Sequence, residues 1–238
     1  MSAIDAIKRK LHREIVADPV LHGLVLNLYL NGEEYPHLVD DYFPITVGAE
    51  WGLGETMRHH LADEDKHVAL YQKAIAKLGQ PVLRLPMGDI FNEVIRGHTS
   101  ASFAMKPDDP RDARRLKLAH FFAHAHFLEK RVARSLEYHV EACAHSPSPY
   151  PEKAVSAVLH DEDRHVAYTL QAVQDLLPRE SADQVLALHA QAEHRANLDF
   201  SAQQLTKLLR DHSRRFSMGG RAAFRACTFA LRQCLRYA

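Results

Sequence analysis

The chain has 238 residues, of which 46% are hydrophobic and 25% are charged, and its formal net charge at pH 7 is zero. These values are ordinary for a globular protein with a substantial core, and the neutral charge argues against a general binder of polyanions such as nucleic acid. No run of about 18 apolar residues occurs, so we expect no membrane span. The first ten residues lack the apolar stretch of a signal peptide.

The cysteines and the distribution of charge narrow the expectations further. Three cysteines without a Cys-x-x-Cys pair give no support to a disulfide framework, a zinc site or a rubredoxin-type iron centre. We therefore expect a cytoplasmic protein. Beyond Asp211 the chain has six arginines and no acidic residue, so a basic tail offsets a charge of about −6 on the first 211 residues.

Helical periodicity dominates the sequence, and no segment alternates like a strand. The periodic segments, bounded by proline and glycine, predict helices over 18–40, 49–78, 86–103, 111–144, 152–177, 181–210 and 220–236. Short loops join the long helices in two pairs, and a link of roughly 33 residues separates the pairs. The sequence therefore predicts an all-α protein that forms a single domain over 1–238. Its bundle core covers about 18–178, and additional helices cover about 181–236.

Two heptapeptides, residues 63–69 and 161–167, are identical except that Lys66 in the first corresponds to Arg164 in the second. Each contains Glu-x-x-His, and this spacing puts the carboxylate and the imidazole on one face of a helix. One copy would mean little, because such pairs arise by chance. Two matching copies predict two helices that present the same ligands to one metal site.

Helical phase places both Glu-His pairs on core-facing surfaces. Glu64 and His67 lie on one stripe with Met57, Leu61 and Tyr71. The second pair, Glu162 and His165, lies on an equivalent stripe, whose apolar members are Val155, Val158, Val173 and Leu176. Burying ionised carboxylates costs several kcal/mol per group unless a cation or partner compensates. The pattern therefore favours metal binding over a solvated helix face.

A dinuclear site of this type needs one more carboxylate from each of the other two helices. In the third long helix, Glu129 lies on the apolar stripe, whereas Glu137 lies about 100° from Leu136. The sequence therefore favours Glu129. The nearby His126 is a candidate seventh ligand, although packing at the bundle margin is the preferred interpretation.

The first long helix leaves two candidates open, because it is apolar almost all round. Glu33 continues the line through Leu26 and Leu30, whereas Glu34 follows Asn27 and Leu30. Phase favours Glu33, with Glu34 as the alternative.

Charge balance supports the resulting set of ligands. Four carboxylates and two neutral imidazoles carry four negative charges, which balance two divalent cations. Such ligands suit iron or manganese, and we expect two iron ions with manganese as the alternative. The predicted metal ligands are Glu33, Glu64, His67, Glu129, Glu162 and His165.

With these residues the chain resembles the ferritin-like di-iron carboxylate superfamily, in its oxygenase and oxidase branch. The resemblance covers about residues 18–178, and residues 161–165 match the Asp-Glu-x-Arg-His form of di-iron monooxygenases and related acyl desaturases. It implies a ferritin-like four-helix bundle with a long crossover and additional helices. It also implies that Asp63 orients His165 and that Asp161 orients His67, each from the opposite helix.

The resemblance implies an O₂-dependent di-iron oxidoreductase that oxidises a small, apolar organic substrate. The alternative is an iron-handling or peroxide-detoxifying protein with ferroxidase, peroxidase or catalase-like activity, and a non-catalytic helical scaffold is a third hypothesis. Expected partners are O₂, the substrate, an external electron donor such as a ferredoxin docking on the basic C-terminal helix, and a second copy in a homodimer. No nucleic acid partner is expected.

Overall fold

A computed structural model describes residues 3–40, 42–101, 103–106, 108–144 and 146–237. Within these residues the chain forms nine α-helices and two single 3-10 turns, without a strand, which confirms the all-α prediction. The helices are α1 (Ala3–Ala17), α2 (Pro19–Leu38), α3 (Ile45–Ala49), α4 (Gly54–Lys77), α5 (Phe91–His98), α6 (Arg111–Cys143), α7 (Tyr150–Leu176), α8 (Arg179–His212) and α9 (Met218–Tyr237).

Four long helices, α2, α4, α6 and α7, form the centre of the molecule. Asp63 of α4 contacts His165 of α7, while His67 contacts Asp161, so these two helices run antiparallel. Residues of α2 and α4 also pair in opposite order along the two helices, and so do residues of α6 and α7, so each of these pairs is antiparallel. Consequently α4 and α6 are parallel, and the 33-residue segment between Lys77 and Arg111 has to return along the bundle.

Local sequence explains where these helices begin and end. The Asp18 carboxylate caps α2 by accepting hydrogen bonds from the backbone N–H groups of Val20 and Leu21. At the end of α4, Gly79 has a φ of 66°, a conformation that glycine adopts without strain. The prediction that the second long helix begins at residue 49 is wrong. Gly52, with a φ of 74°, forms a turn that separates α3 from α4.

The segment that connects α4 to α6 is less helical than predicted. Its helix spans only Phe91–His98 rather than 86–103, because the flanking Ile90 and Thr99 have extended backbones. Before this helix the chain follows α2, whose Asn27 and Asn31 side-chain oxygens accept hydrogen bonds from the backbone N–H groups of Leu83 and Leu85. Buried amides of α2 therefore hold the crossover against the bundle.

The sequence analysis assigned no helix to the N-terminal segment, but the structure has α1 there, packed against α2, α6 and α9. Apolar residues of α1, α2, α8 and α9 form one cluster that includes the buried Ile15, Leu21, Leu205 and Phe224. Helices α1 and α9 and the second half of α8 thus cover one side of the bundle.

Two apolar clusters fill the bundle at different levels. One contains Met57 of α4, Ala123 of α6 and Ala172 of α7. The other contains residues of all four long helices, namely Leu30, Tyr71, Leu136 and Val158. In α4, α6 and α7 the predicted metal ligands lie between these levels, so the candidate site is inside the bundle.

None of the helices in the described part of the chain combines the length and the apolar character that crossing a membrane would require.

Buried neutral histidines make the fold sensitive to acid. Burial lowers the pKa of His12, His124 and His189 to about 3 and the pKa of His22 to about 4. Because the folded-state pKa is depressed, each group contributes stability that is present above the unfolded pKa of about 6.5 and is lost as pH falls through the folded pKa. The protein should therefore lose stability between about pH 6.5 and pH 3 to 4.

We predict that His124→Leu reduces this acid sensitivity. Between pH 7.5 and pH 5 each such histidine lowers the free energy of unfolding by about 2 kcal/mol, and the variant should lose that much of the pH dependence. Urea unfolding at the two pH values measures it, with the 75%-exposed side chain of His59 replaced in the control His59→Leu. An unchanged pH dependence in His124→Leu would contradict the assignment.

Candidate metal centre

The structure brings the six predicted ligands together between the two apolar clusters. One comes from α2, two from α4, one from α6 and two from α7, and each is at most 7% exposed: Glu33, Glu64, His67, Glu129, Glu162 and His165. Carboxylates are almost never buried to this extent without a partner. The four carboxyl groups therefore need protons or cations for compensation.

The two imidazoles have matching orientations. His67 has Nδ1 3.3 Å from Glu33 Oε2 and 3.9 Å from Glu162 Oε1, and its Nε2 lies 3.2 Å from Asp161 Oδ2. His165 has Nδ1 3.6 Å from Glu162 Oε2 and Nε2 3.2 Å from Asp63 Oδ2. Both rings thus direct Nδ1 towards the glutamates and Nε2 towards an aspartate of the opposite helix.

The two heptapeptides contact each other reciprocally across the α4–α7 interface. Asp161 accepts hydrogen bonds from Lys66 and His67 of α4, and Asp63 accepts from Arg164 and His165 of α7. These bonds outweigh burial and hold the pKa of Asp161 at about 2. The pKa of Asp63 is lowered in the same way by His165 and Arg164. Each aspartate can therefore accept the Nε2–H of its histidine and leave Nδ1 free for a ligand.

The structure separates Glu33 from Glu34. The carboxylate of Glu33 faces His67, whereas that of Glu34 pairs with Arg84 of the crossover segment. Both residues are buried, which explains why helical phase alone separated them only weakly.

The two candidate carboxylates of α6, Glu129 and Glu137, also lie in different surroundings. Glu129 has Oε1 3.6 Å from His60 Nε2 inside the site, whereas Glu137 is exposed and pairs with Arg134 one turn earlier. His126 has its Nδ1 3.0 Å from the carbonyl oxygen of Val166, which places this nitrogen in a helix-to-helix contact.

The sequence analysis missed His60, which the structure places in the site. Its Nε2 is 2.9 Å from Glu64 Oε1, its ring stacks on that of His165 with centroids 3.7 Å apart, and it is 2% exposed. The signal was available, since residues 60, 64, 67 and 71 follow a spacing of four, three and four that keeps them on one stripe. The corresponding position on α7 is Val158, so the repeat gave no second histidine to notice.

A hydrogen bond to Tyr168 orients His60, since the Tyr168 hydroxyl lies 2.5 Å from its Nδ1. When Nδ1–H donates to that oxygen, Nε2 keeps its lone pair directed at Glu64 and Glu129. Burial lowers the pKa of His60 well below the usual range, and the neighbouring His165 adds to this. The ring is therefore neutral and suited to bind a cation.

Burial raises the pKa of Glu64, Glu129 and Glu162 well above the ordinary value, and neighbouring carboxylates raise them further. For Glu33, burial also raises the pKa, but the hydrogen bond from His67 outweighs it and lowers the pKa. Without a cation, the raised pKa values favour the protonated forms of these three carboxyl groups, whereas the lowered pKa of Glu33 favours its ionised form beside His67. The stability contributed by these three groups is present at low pH and is lost as pH rises through their raised pKa values.

The donor atoms of the site fit cations. His60, Glu64 and His165 have ligand atoms within 4.8 Å of one another, and so do Glu33, His67 and Glu162. Both oxygens of Glu162 and Nδ1 of His165 are buried without a hydrogen-bond partner in the described structure. Most buried polar atoms in proteins have hydrogen-bond partners, so this concentration of unpaired polar atoms indicates a place for a ligand. Two groups of donors suggest two ions.

In comparisons with known proteins, no family model matches the chain, and no curated protein or solved structure is significantly similar to it. The interpretation of the site therefore rests on its own geometry.

We predict that Asp161→Asn lowers the affinity for metal by about 10- to 100-fold, because His67 loses the acceptor that fixes its ring and raises its basicity. The measurement is a Mn²⁺ titration of the metal-free protein. The control is Asp163→Asn, an exposed aspartate in the same heptapeptide, which should bind like the wild type. Equal affinities for the two variants would contradict the role of Asp161.

We predict that metal binding releases protons and strengthens as pH rises from 6 to 8. The raised pKa values of Glu64, Glu129, Glu162 and His67 favour their protonated forms, and a protonated group must lose its proton before it binds a cation. Calorimetry in buffers of different ionisation enthalpy counts the protons.

The matched variants for this count lie on α6. Glu129→Gln should release about one proton fewer than the wild type, whereas the exposed Glu137→Gln should release the same number. Binding that neither releases protons nor depends on pH would show that the carboxyl groups are not the ligands.

Proposed function

We propose that this chain is a ferritin-like, non-haem di-iron protein that uses O₂ to oxidise an organic substrate. One observation carries the proposal: four carboxylates and the Nδ1 atoms of two histidines converge, buried, inside one four-helix core. Di-iron and di-manganese carboxylate proteins use this donor set, a Glu from each of two helices and Glu-x-x-His from each of the other two.

The helix arrangement supports the ferritin-like assignment. Helices α4 and α6 are parallel and are joined by the long crossover. Within the antiparallel pairs, a segment that contains α3 joins α2 to α4, and a short connection joins α6 to α7. One long crossover between two antiparallel helix pairs is the connectivity of ferritin-like bundles. The topology and the donor set therefore agree.

Two ions are proposed to bind through Glu33, Glu64, His67, Glu129, Glu162 and His165, with His60 as a seventh donor. Carboxylate and imidazole ligands suit iron or manganese. When bound, a pair of such redox-active ions supplies electrons in pairs to O₂. The chain itself holds the ligands in place, through Asp63 and Asp161 on the two histidines and through Tyr168 on His60.

Along α4 and α7, buried side chains close the site to bulk water on both sides of the ligands. Met57 and Tyr71 of α4 are fully buried one to two turns on either side of Glu64 and His67, and Val158 and Thr169 of α7 are fully buried on either side of Glu162. A dry site strengthens electrostatic interactions and protects reactive species from solvent.

A cavity of about 460 Å³ reaches Glu33, Glu64 and Glu129. Its volume lies within the range of small-molecule sites. Iron handling or peroxide removal needs no such space next to the ions. The cavity therefore favours the oxidation of an organic substrate.

We predict that Glu64→Ala and Glu162→Ala bind less than one iron per chain and lose at least about 100-fold of reductant-dependent O₂ consumption, because each removes a central carboxylate. Glu137→Ala, which removes the exposed carboxylate of α6, should behave like the wild type.

The measurement is O₂ uptake by the iron-loaded protein with a chemical reductant, with iron content determined on the same samples. Glu64→Ala with full iron and full O₂ uptake would overturn the proposal. Sustained O₂ consumption with Fe²⁺ as the only substrate would instead assign an iron-oxidising function.

A further inference from the structure

We infer that the chain has a second metal site, in which His22, His139 and Cys143 bind a single copper(I) ion. The inference goes beyond the proposed function and uses none of the residues assigned to the candidate metal centre. His22 lies 11 residues before Glu33 on α2, or about 17 Å along the helix, and His139 lies ten residues after Glu129 on α6, or about 15 Å. The two sites are therefore separate.

The three candidate ligands come together where the start of α2 meets the end of α6. One nitrogen of each histidine and the sulfur of Cys143 lie within 4.8 Å of one another. His22 and His139 are fully buried, and Cys143 is 4% exposed. His139 and Cys143 are four residues apart on α6, so they face the same side of that helix. A buried cysteine alone usually packs as a small apolar residue, but this one lies beside two imidazoles.

The two histidines direct ring nitrogens at each other. Nε2 of His22 lies 2.9 Å from Nε2 of His139, and Nδ1 of His139 lies 3.3 Å from the Tyr29 hydroxyl. Two nitrogens that bind one ion at about 2.0 Å lie about 3.3 to 3.5 Å apart, so these rings need to separate by only a few tenths of an ångström. With the ion on Nε2 of His139, its Nδ1–H donates to Tyr29, an outer partner that fixes the orientation of the ring.

The hydrogen bonds of this cluster do not form a complete network. Nδ1 of His22 is buried without a hydrogen-bond partner in the described structure. A histidine pair that served only to stabilise the fold would be expected to have all of its buried polar atoms satisfied. The incomplete network therefore favours a binding site over a purely structural contact.

The cavity that reaches the candidate metal centre also reaches this cluster. It is lined by His12 and Tyr29, whose ring centroids lie 5.7 and 5.5 Å from that of His139. A metal site inside a protein needs an entry path, and the cavity brings an ion next to the cluster.

The number and charge of the ligands select the kind of ion. Thiolate ligands favour copper(I) or zinc, but structural zinc takes four ligands, and the described cluster offers three. One thiolate and two neutral imidazoles carry one negative charge, so a monovalent ion gives a neutral complex and a divalent ion leaves a buried positive charge.

The surroundings of the sulfur do not supply that missing charge. Cys143 packs in an apolar cluster with Val16 and Ala142. The carboxylate of Glu152 acts on Cys143 from an exposed position, where solvent screens it. The cluster therefore suits copper(I), which takes the place of the thiol proton when it binds.

The first test is an anaerobic titration with copper(I) in competition with a chromogenic copper(I) chelator. It uses the full chain with Cys227→Ser and Cys234→Ser, in which Cys143 is the remaining cysteine. We expect one copper(I) per chain, both with and without saturating Mn²⁺. Adding Cys143→Ser should lower the affinity by at least about 100-fold, because a lost ligand costs more than the 10- to 100-fold cost of a lost outer partner.

The second test addresses the histidines. His22→Gln should also weaken copper(I) binding at least about tenfold, whereas the exposed His59→Gln should bind like its parent. A cooperative thermal unfolding transition shows that each variant is folded. X-ray absorption at the copper edge of the unsubstituted protein should show one sulfur and two imidazole nitrogens, and this measurement does not depend on any variant.

The outcomes separate this inference from the proposed function. Absence of stoichiometric copper(I), unchanged affinity in folded Cys143→Ser, or bound copper without a sulfur neighbour overturns the inference, even if iron binding and O₂ consumption are found. A loss of Zn²⁺ affinity in Cys143→Ser as large as the loss for copper(I) overturns the assignment to a monovalent ion. Copper(I) binding through Cys143 by a chain that binds neither iron nor manganese supports the inference and overturns the proposed function.

Discussion

The burial of four carboxyl groups in the middle of one helical bundle is the constraint on which the rest of the structure depends. Ionised carboxylates cannot remain in an apolar core without compensation, and their mutual repulsion adds to the cost of burial. Without a cation, the raised pKa values of three of the four favour their protonated forms, and Glu33 pairs with His67. Such a core is compatible with cations, because two divalent ions would replace the protons and balance the charge.

The repeated heptapeptide supplies the candidate ligands and also fixes the orientation of the two histidine rings. A histidine beside buried carboxylates can turn either ring nitrogen towards them, and an aspartate on the facing helix fixes which one. Asp161 does so for His67 and Asp63 for His165, while Lys66 and Arg164 neutralise the aspartates. Lysine in one copy and arginine in the other make the same contact, since each reaches the aspartate of the opposite helix.

Features that depend on a single helix could be predicted from the sequence, and features that depend on packing could not. Helical phase was enough to select Glu129, because its stripe is distinctly apolar. It gave little discrimination between Glu33 and Glu34, because α2 is buried on several sides; in the structure Glu33 faces His67 and Glu34 pairs with Arg84. His60 and the cavity were missed. His60 has no counterpart in α7, which carries the second heptapeptide. The cavity exists only where α1, α8 and α9 meet the bundle.

The central claim is that one chain binds two metal ions through these buried side chains. The most direct test is an anaerobic titration of the metal-free protein with Fe²⁺, in which bound and free iron are separated and counted. The account predicts saturation at two ions per chain, because two groups of donors and four carboxylates are available. Saturation at one ion, or the absence of stoichiometric binding, would contradict it.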